Sequence, residues 1–585
     1  MKKKKTAELN SKPGKLSVLL KDYFLPGLML IFIVLLTTFK ISGDDDIFWH
    51  LQTGKYITEN KTIPSEDVFG FVTEGQKWIP FEWGFDVLIY NIYSVSGYPG
   101  ISLFRTLIFL LMFLLLIKVS QKLKLNIFIS YIIFILLAAG LFERMLIKPQ
   151  IISYLFSVLL LYLLISFQYN NENKKLIYFI PVLFLLWANM HMGVLSGFVI
   201  LTIYIITEII RLKKNKSTIP AETRKPIIKK LTLIYMLSAA ALLVNPHGFN
   251  TYLYVYMHMQ MKMLSEVFEW YSPFSSLFGG TIFIYVYYSF LALSAFSFFF
   301  LFRQKQWFLF SVLLVFLLLS FRNSRFAVDY MAVSAGIIVI AAGNLISRSD
   351  KLSVKNNPVY TYIPALILLA GIILLPGNNL YKLLNFERES GFGIYKSDYP
   401  QSAVEFIRKN NIISAGNRVF NSFGCGGFLI WEVPSAKNFI DSRNLNDEIY
   451  YSYKKINNKQ PGFEDEFGKY NFNYILWFFP KLPYFTNEMK TSVISYLFAN
   501  SDAWKLVFWD DNSFVFVRNM PEYKDIIEKF EYKYANPYYY TIDKEPLKIA
   551  LKNDPAGVTS EIQRKLKEDS ESVFIKAMSK SFKVN

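Results

Sequence analysis

Long apolar runs constrain this chain more than any other feature. Eleven of them, near 24–42, 101–117, 126–142, 150–168, 176–190, 194–210, 231–245, 281–302, 307–321, 328–346 and 359–376, are each close to the length of a membrane span. A bilayer core about 30 Å thick takes about 20 apolar residues as a helix. No water is present there to satisfy the backbone, so such runs become helices. They are continuous rather than alternating, which excludes a β-barrel. The joints at 190–194 and 321–328 leave room for kinked or re-entrant segments. A composition of 53% hydrophobic and 18% aromatic residues agrees with a membrane class and not with a soluble protein of 585 residues.

The formal charge of +18 does not point to nucleic acid, because of where it lies. Lysines fill the first 22 residues and the 211–230 loop, with smaller basic groups at 118–124, 303–305 and 348–355. Every second loop is basic, as the positive-inside rule expects. The N-terminus is then cytoplasmic and the C-terminal region extracytoplasmic, in the cell membrane, with the basic loops also meeting anionic lipid. The first run lacks a small-residue cleavage site and is not read as a cleaved signal peptide. The expected fold class is a polytopic α-helical membrane protein with a C-terminal soluble α/β domain. Its expected parts are a basic N-terminus (1–22), a transmembrane domain (23–378) with a long first outer loop (43–100), an extracytoplasmic α/β domain (395–520) and a charged, helical and partly disordered tail (521–585).

The lone Cys425 excludes an intramolecular disulfide and a thiolate metal cluster. All four histidines, His50, His191, His247 and His258, fall in or beside the expected outer loops, so titratable chemistry gathers on one face. In the first loop, "IFWHLQTGKYITEN" and "PFEWGFDVLIYNIYSVSG" read as amphipathic helices suited to the membrane interface, the second closed by Gly97. After Pro376, "NRVFNS", "KNFIDS" and "FNYILWFF" read as strands, "YPQSAVEFIRKNN" and "NEMKTSVISYLFANS" as helices, and "WKLVFWDDNSFVFVRN" as a hairpin.

Chemistry concentrates in "GDDDIFWHLQTG", residues 43–54. One Asp caps a helix and its neighbours complement the dipole, but three adjacent acids exceed that need. Asp46 and His50 stand four apart and share a helix face. Asp44 and Asp46 can reach a common cation or hydroxyl. Near a low-dielectric interface a carboxylate gains basicity and can deprotonate a hydroxyl. Glu82 offers a second acid. Arg144 and Lys148 in "ERMLIKPQ", and Arg322 and Arg325 in "FRNSRFAV", add cations on the same face, and Arg matches phosphate oxygens with a fork of donors. The same arginines also suit headgroup contact. In the α/β region, the glycines around Cys425 form a tight turn or an anion cradle, and Asp441 with Arg443 ends a strand where ligands often bind.

The chain resembles the GT-C superfamily of polytopic glycosyltransferases, and within it a bacterial branch. The resemblance rests on an ordered series: "DDDIFWHLQTGKYI", "PFEWGFDVLI", "ERMLIKPQIISYL", "LLWANMHMGVLSGF", "LLVNPHGFNTYLY", "FRNSRFAV", and "VFNSFGCGGFLIWEVP" followed by "NFIDSRN". It implies a polyprenyl-phosphate sugar donor, an outer-face site, and an inverting transfer to a glycan, lipid or protein hydroxyl. Asp46, Asp44 and Glu82 are then the catalytic candidates. Trp49, His50, Trp83, Arg144, His191, Asn245, His247, Arg322 and Arg325 are the substrate-binding candidates. Phe81 stands where a histidine is expected beside Glu82. A divalent metal, Mg or Mn, on Asp44 and Asp46 is compatible with the superfamily, some of whose members use none. An oligosaccharide or polymer ligase of the same fold, a non-enzymatic lipid-glycan transporter and an inactive polymer-binding scaffold are the alternatives.

Overall fold

All eleven apolar runs are helical in the computed structural model, which describes residues 23–43, 45–169, 175–214, 220–346 and 359–584. The basic N-terminus (1–22), Asp44, the middle of the 211–230 loop and the basic 348–355 group lie outside the described residues. Six helices are long and apolar enough to cross a membrane: Trp83–Lys122, Ile127–Arg144, Gln150–Gln168, Val194–Lys214, Ile282–Arg303 and Ser324–Gly343. The pair Tyr362–Leu374 and Pro376–Leu383, bent by 92°, makes a seventh if it counts as one span. Leu25–Thr37, Leu176–Met190 and Trp307–Ser320 are apolar but shorter. The sequence thus locates the helices, while fewer of them reach span length than the eleven expected. Leu25–Thr37 shows one cause. Thr37 and Thr38 hydroxyls bond back to the Ile33 and Val34 carbonyls. Buried Arg105 then takes the Thr37 carbonyl at 2.9 Å and the Phe39 carbonyl, so the turn ends there.

The chain divides into two compact units. One comprises 1–41, 92–249 and 264–393; the other comprises 42–91, 250–263 and 394–585. In the first, Ser324–Ile346 is central, packing against Ile127–Leu141, Ile282–Arg303 and Trp307–Ser320. Its buried Ala327, Ala332, Ser334, Ala335 and Ala341 let neighbouring helix backbones come close.

The second unit is composite, because residues 42–91 of the expected membrane domain pack with the C-terminal residues. Its sheet has the order β1-β2-β4-β3, with β1 Val419–Asn421, β2 Tyr474–Phe478, β3 Trp504–Trp509 and β4 Ser513–Arg518. β1 and β2 run parallel, and the other pairs are antiparallel. The hairpin and the first and third expected strands are present. "KNFIDS" is not a strand; Asn438 makes only a single bridge, to Gly70. There the 69–71 backbone takes both hydrogen bonds of Asn438, where a strand partner would have been. The tail carries five helices between Lys524 and Phe582. Tyr538, Leu547, Val558, Ile562 and Ile575 join the core of the sheet domain, so the described tail is ordered structure and not a partly disordered extension.

Asp46–Asn60 is also more deeply set than an interfacial helix, with Ile47, Phe48, His50, Leu51 and Gly54 buried. It packs on Gly426–Glu432. At Gly54 an added Cβ would lie 2.0 Å from the Asp86 carbonyl oxygen, so only glycine permits this approach. Trp83–Lys122 is broken at Gly97, whose φ of 60° lies outside helical space. The first-loop helix therefore ends where the sequence places its end, although it starts at Trp83 rather than beside Pro80.

Candidate active site

Two polar centres are built from the residues singled out by sequence, one in each unit.

In the composite unit, Asp45 ends up as structure. Its carboxylate accepts the backbone N–H groups of Gly427 and Phe428 at 2.7 and 2.9 Å. The glycine-rich turn thus does meet a carboxyl group, and it is the chain's own. Burial pushes the Asp45 carboxyl up to about 8, against the pull of these two N–H groups. Cys425 in that turn is fully buried, and its Sγ lies 3.3 Å from the Ser422 carbonyl. Asp46 is half-buried at the first turn of its helix, and Trp49 Nε1 donates to it at 3.3 Å.

His50 does not pair with Asp46 despite the helical spacing. Its Nδ1 lies 2.5 Å from Asp86 Oδ1, and its Nε2 lies 3.9 Å from Glu82 Oε2. Glu82 caps the helix that Trp83 opens, its carbonyl taking the Phe85 and Asp86 N–H groups. Asp86, one turn on, shares its face. The ring is held by Trp49 at 3.6 Å and by the edge of Phe85 at 5.2 Å. Burial pulls the His50 pKa down and keeps the imidazole neutral. His50 is 1% exposed and Asp86 is fully buried, while Glu82 is 12% exposed and is the open end of the trio. An imidazole, that of His50, thus stands near Glu82 although Phe81 carries none. Asp86 was not singled out from the sequence. Its position four residues after Glu82 in "FEWGFD" is the signal.

Asp441 and Arg443 form a buried cluster with Asp67. Arg443 Nη1 meets Asp67 at 2.6 Å and Nη2 meets Asp441 at 2.6 Å, and Asn438 donates to Asp441 at 2.7 Å. Arg443 also lies over the Trp78 ring at 4.8 Å. Although burial opposes it, the Arg443 charge holds the Asp67 carboxyl below its usual range. The donors of Arg443 are thus taken up inside the fold.

In the helical unit, Arg144 Nη1 meets Glu269 at 2.5 Å and Lys148 Nζ meets the same oxygen at 3.0 Å. Arg144 also donates to Ser324 Oγ at 3.2 Å, which in turn donates to the Glu269 carbonyl. Arg325 Nη2 lies 3.1 Å from His191 Nε2, and His191 Nδ1 lies 2.6 Å from Ser153 Oγ, which Trp187 also reaches. With its amide oxygen turned toward Arg325, Gln150 accepts from that guanidinium as well. Burial opposes ionisation of Glu269, but Lys148, Arg144 and Arg325 outweigh it and hold the carboxyl far below its usual range. Lys148, Arg144 and Arg325 thus gather around Glu269, with Glu143 beside Arg144 and Asp329 beside Arg325; such a gathering of cations suits an anion.

Sequence reading named Arg144, Lys148, His191 and Arg325, which this network joins. It missed Glu269, in the second Phe-Glu-Trp of the chain, 268–270 after 81–83. It also grouped Arg322 with Arg325, whereas Arg322 is exposed and outside the network. Asn245 shapes the 245–248 turn, bonding the Leu242 and Gly248 carbonyls and accepting the His247 N–H.

Among the described residues, no three His, Cys, Asp or Glu side chains converge to hold a metal ion.

No family model matches the chain, and no curated protein matches it. Solved structures do. The archaeal oligosaccharyltransferase AglB from Archaeoglobus fulgidus, in complex with an inhibitory peptide and a dolichol-phosphate, aligns with a TM-score of 0.54 and 11% identity over 86% of this chain and 75% of that one. The apo form of the Archaeoglobus fulgidus oligosaccharyltransferase gives 0.55 at the same identity and coverage. The arabinofuranosyltransferase AftD from Mycobacteria aligns with a TM-score of 0.53 and 13% identity, over 85% of this chain and 42% of that one. These likenesses establish a GT-C fold, as the ordered motifs implied.

Proposed function

We propose that this chain is a membrane glycosyltransferase that moves a sugar from a polyprenyl-phosphate donor to an acceptor hydroxyl, with inversion. The observation that carries the reading is a GT-C fold whose first loop keeps two solvent-reachable acids, Asp46 and Glu82. One of its structural neighbours was solved with a dolichol-phosphate, which fits a lipid-linked donor.

In the proposed reaction the acceptor oxygen attacks the anomeric carbon, and the bond from that carbon to the phosphate oxygen breaks. The electron pair leaves with the lipid phosphate, whose negative charge rises by one. The acceptor proton goes to a first-loop carboxylate, Glu82 or Asp46; Asp44 is a further candidate. A correctly placed base contributes about 10²–10⁴ in rate. Within the helical unit, taken by itself, Arg144, Lys148 and Arg325 are the candidates for binding a lipid phosphate, and His191 and Gln150 hold Arg325 in place. The substrate side is the extracytoplasmic face of the cytoplasmic membrane, by the charge asymmetry of the loops.

The experiment supplies purified protein in acceptor-containing membranes with a radiolabelled polyprenyl-phosphate monosaccharide, or with a lipid-linked oligosaccharide. Release of lipid phosphate together with labelled acceptor from the first donor supports this reading. Release from the second donor alone makes the chain an oligosaccharide transferase. Release from neither removes the enzymatic reading.

A further inference from the structure

We propose that His50 is a positioning residue for Glu82, and that Asp86 fixes the ring form that makes it one. The inference rests on the reading of Glu82 as the base and names the machinery behind it.

His50 is enclosed, so its ring nitrogens find their partners inside the protein. Nδ1 has Asp86 at 2.5 Å, and Nε2 looks toward Glu82 Oε2 at 3.9 Å, one small side-chain shift from a hydrogen bond. A neutral imidazole carries its hydrogen on one nitrogen only, and the partner of the other decides which. Asp86 Oδ2 is buried and accepts no hydrogen bond among the described residues. A charge on so bare a carboxylate is costly, so the Asp86 proton is favoured on the bond to Nδ1. That leaves the ring hydrogen on Nε2, facing Glu82. Glu82, at 12%, is the most exposed member of the trio. Trp49 and Phe85 fix the ring plane, and Gly54 allows the Asp86 backbone to approach the His50 helix. The arrangement orients one carboxylate toward solvent from behind, as a general base requires.

The test uses the two amide replacements of histidine. His50→Asn places its amide near Nδ1, retaining the Asp86 partner and removing the group that faces Glu82. His50→Gln places its amide near Nε2, retaining the group that faces Glu82. The readout is lipid-phosphate release from a polyprenyl-phosphate sugar by full-length protein in membranes, with kcat and donor KM separated. The expected result is a kcat about 10–100-fold lower in His50→Asn, a smaller loss in His50→Gln, and an unchanged donor KM in both. Asp86→Leu keeps the ring but removes the donor to Nδ1, so the ring hydrogen is no longer held on Nε2, and should lower kcat about 10-fold; Asp86→Asn, whose amide N–H donates to Nδ1 as the protonated acid does, should keep most of kcat, and Asp86→Leu is the substitute if His50→Asn does not fold. In a Glu82→Gln background the His50→Asn loss should vanish, because the residue it positions is gone. If the His50→Asn loss is equally large in that background, or kcat is unchanged in His50→Asn and Asp86→Leu, the positioning role is wrong while Glu82 stands. If Glu82→Gln alone turns over at the parent rate, the reading of Glu82 as base falls, and this inference with it.

Discussion

The Glu269 centre and the His50 centre are opposite solutions to burying charge. Around Glu269, Arg144 and Lys148 pair with the acid at short range and Arg325 stands close by, with Asp329 and Glu143 beside the arginines. Around His50, two acids flank one neutral ring. A cation-rich cluster stabilises a negative ligand and holds its own acid ionised. Two acids set against one buried neutral ring disfavour two charges at once. The first arrangement is suited to binding an anion and the second to handling a proton. The difference is visible without any ligand, because it lies in which charges the fold leaves uncompensated.

The largest effect that separates the two centres should come from the acids. Glu82→Gln or Asp46→Asn should lower sugar transfer about 10²–10⁴-fold while the protein stays folded. Asp45→Asn should cost far less in turnover, since Asp45 is buried against the Gly427 and Phe428 N–H groups, although one amide oxygen replaces two carboxylate acceptors and some stability is lost. Parent-rate transfer by both Glu82→Gln and Asp46→Asn would reduce the motif to a helix cap.

Next in size is a control on the third charge cluster, where cation and acids are matched. Removing one partner from a buried pair costs about 3–5 kcal/mol, so Asp67→Asn should lower the thermal midpoint markedly without a selective effect on kcat. The pH dependence has a definite sign. Asp67 is held below its usual pKa of about 4 in the fold. Its contribution is therefore present above about pH 4 and is lost as pH falls through the folded value. Unfolding followed between pH 7 and pH 2 should show a shallower acid loss in Asp67→Asn than in the parent.

A smaller effect belongs to the Glu269 centre. Arg325→Lys keeps the charge and loses the fork, and should weaken donor binding about 10-fold, read as KM with kcat little changed. Arg322→Lys should leave KM alone, because Arg322 is exposed and outside the network. Equal effects from the two would show that the donor is held elsewhere. The smallest perturbation tests orientation. Single cysteines at 220 and 455 in a Cys425→Ser background should be labelled from outside at 455 only; labelling at 220 in intact cells reverses the topology.

Much of this architecture was readable from neighbours in sequence. Apolar runs became helices because backbone groups in lipid must be satisfied within the run. Gly97 ended the first-loop helix, and the Asp510–Ser513 turn closed the β3–β4 hairpin, through preferences confined to a few residues. The acids of 44–46 and the arginines at 144 and 325 were visible as residue types that membrane helices do not retain without use. Their partners were not visible. His50 meets an acid 36 positions away instead of Asp46 four positions away, and Asp45 caps a turn 382 positions away. Glu269 reaches Arg144 across 125 positions, and Arg322, three residues from Arg325, stays outside the same network. Spacing along one helix shows which side chains share a face. Which of them meets a partner depends on the path of the rest of the chain, and burial energy, which scales with what surrounds a group and not with its position in sequence, settles that choice only in the folded protein.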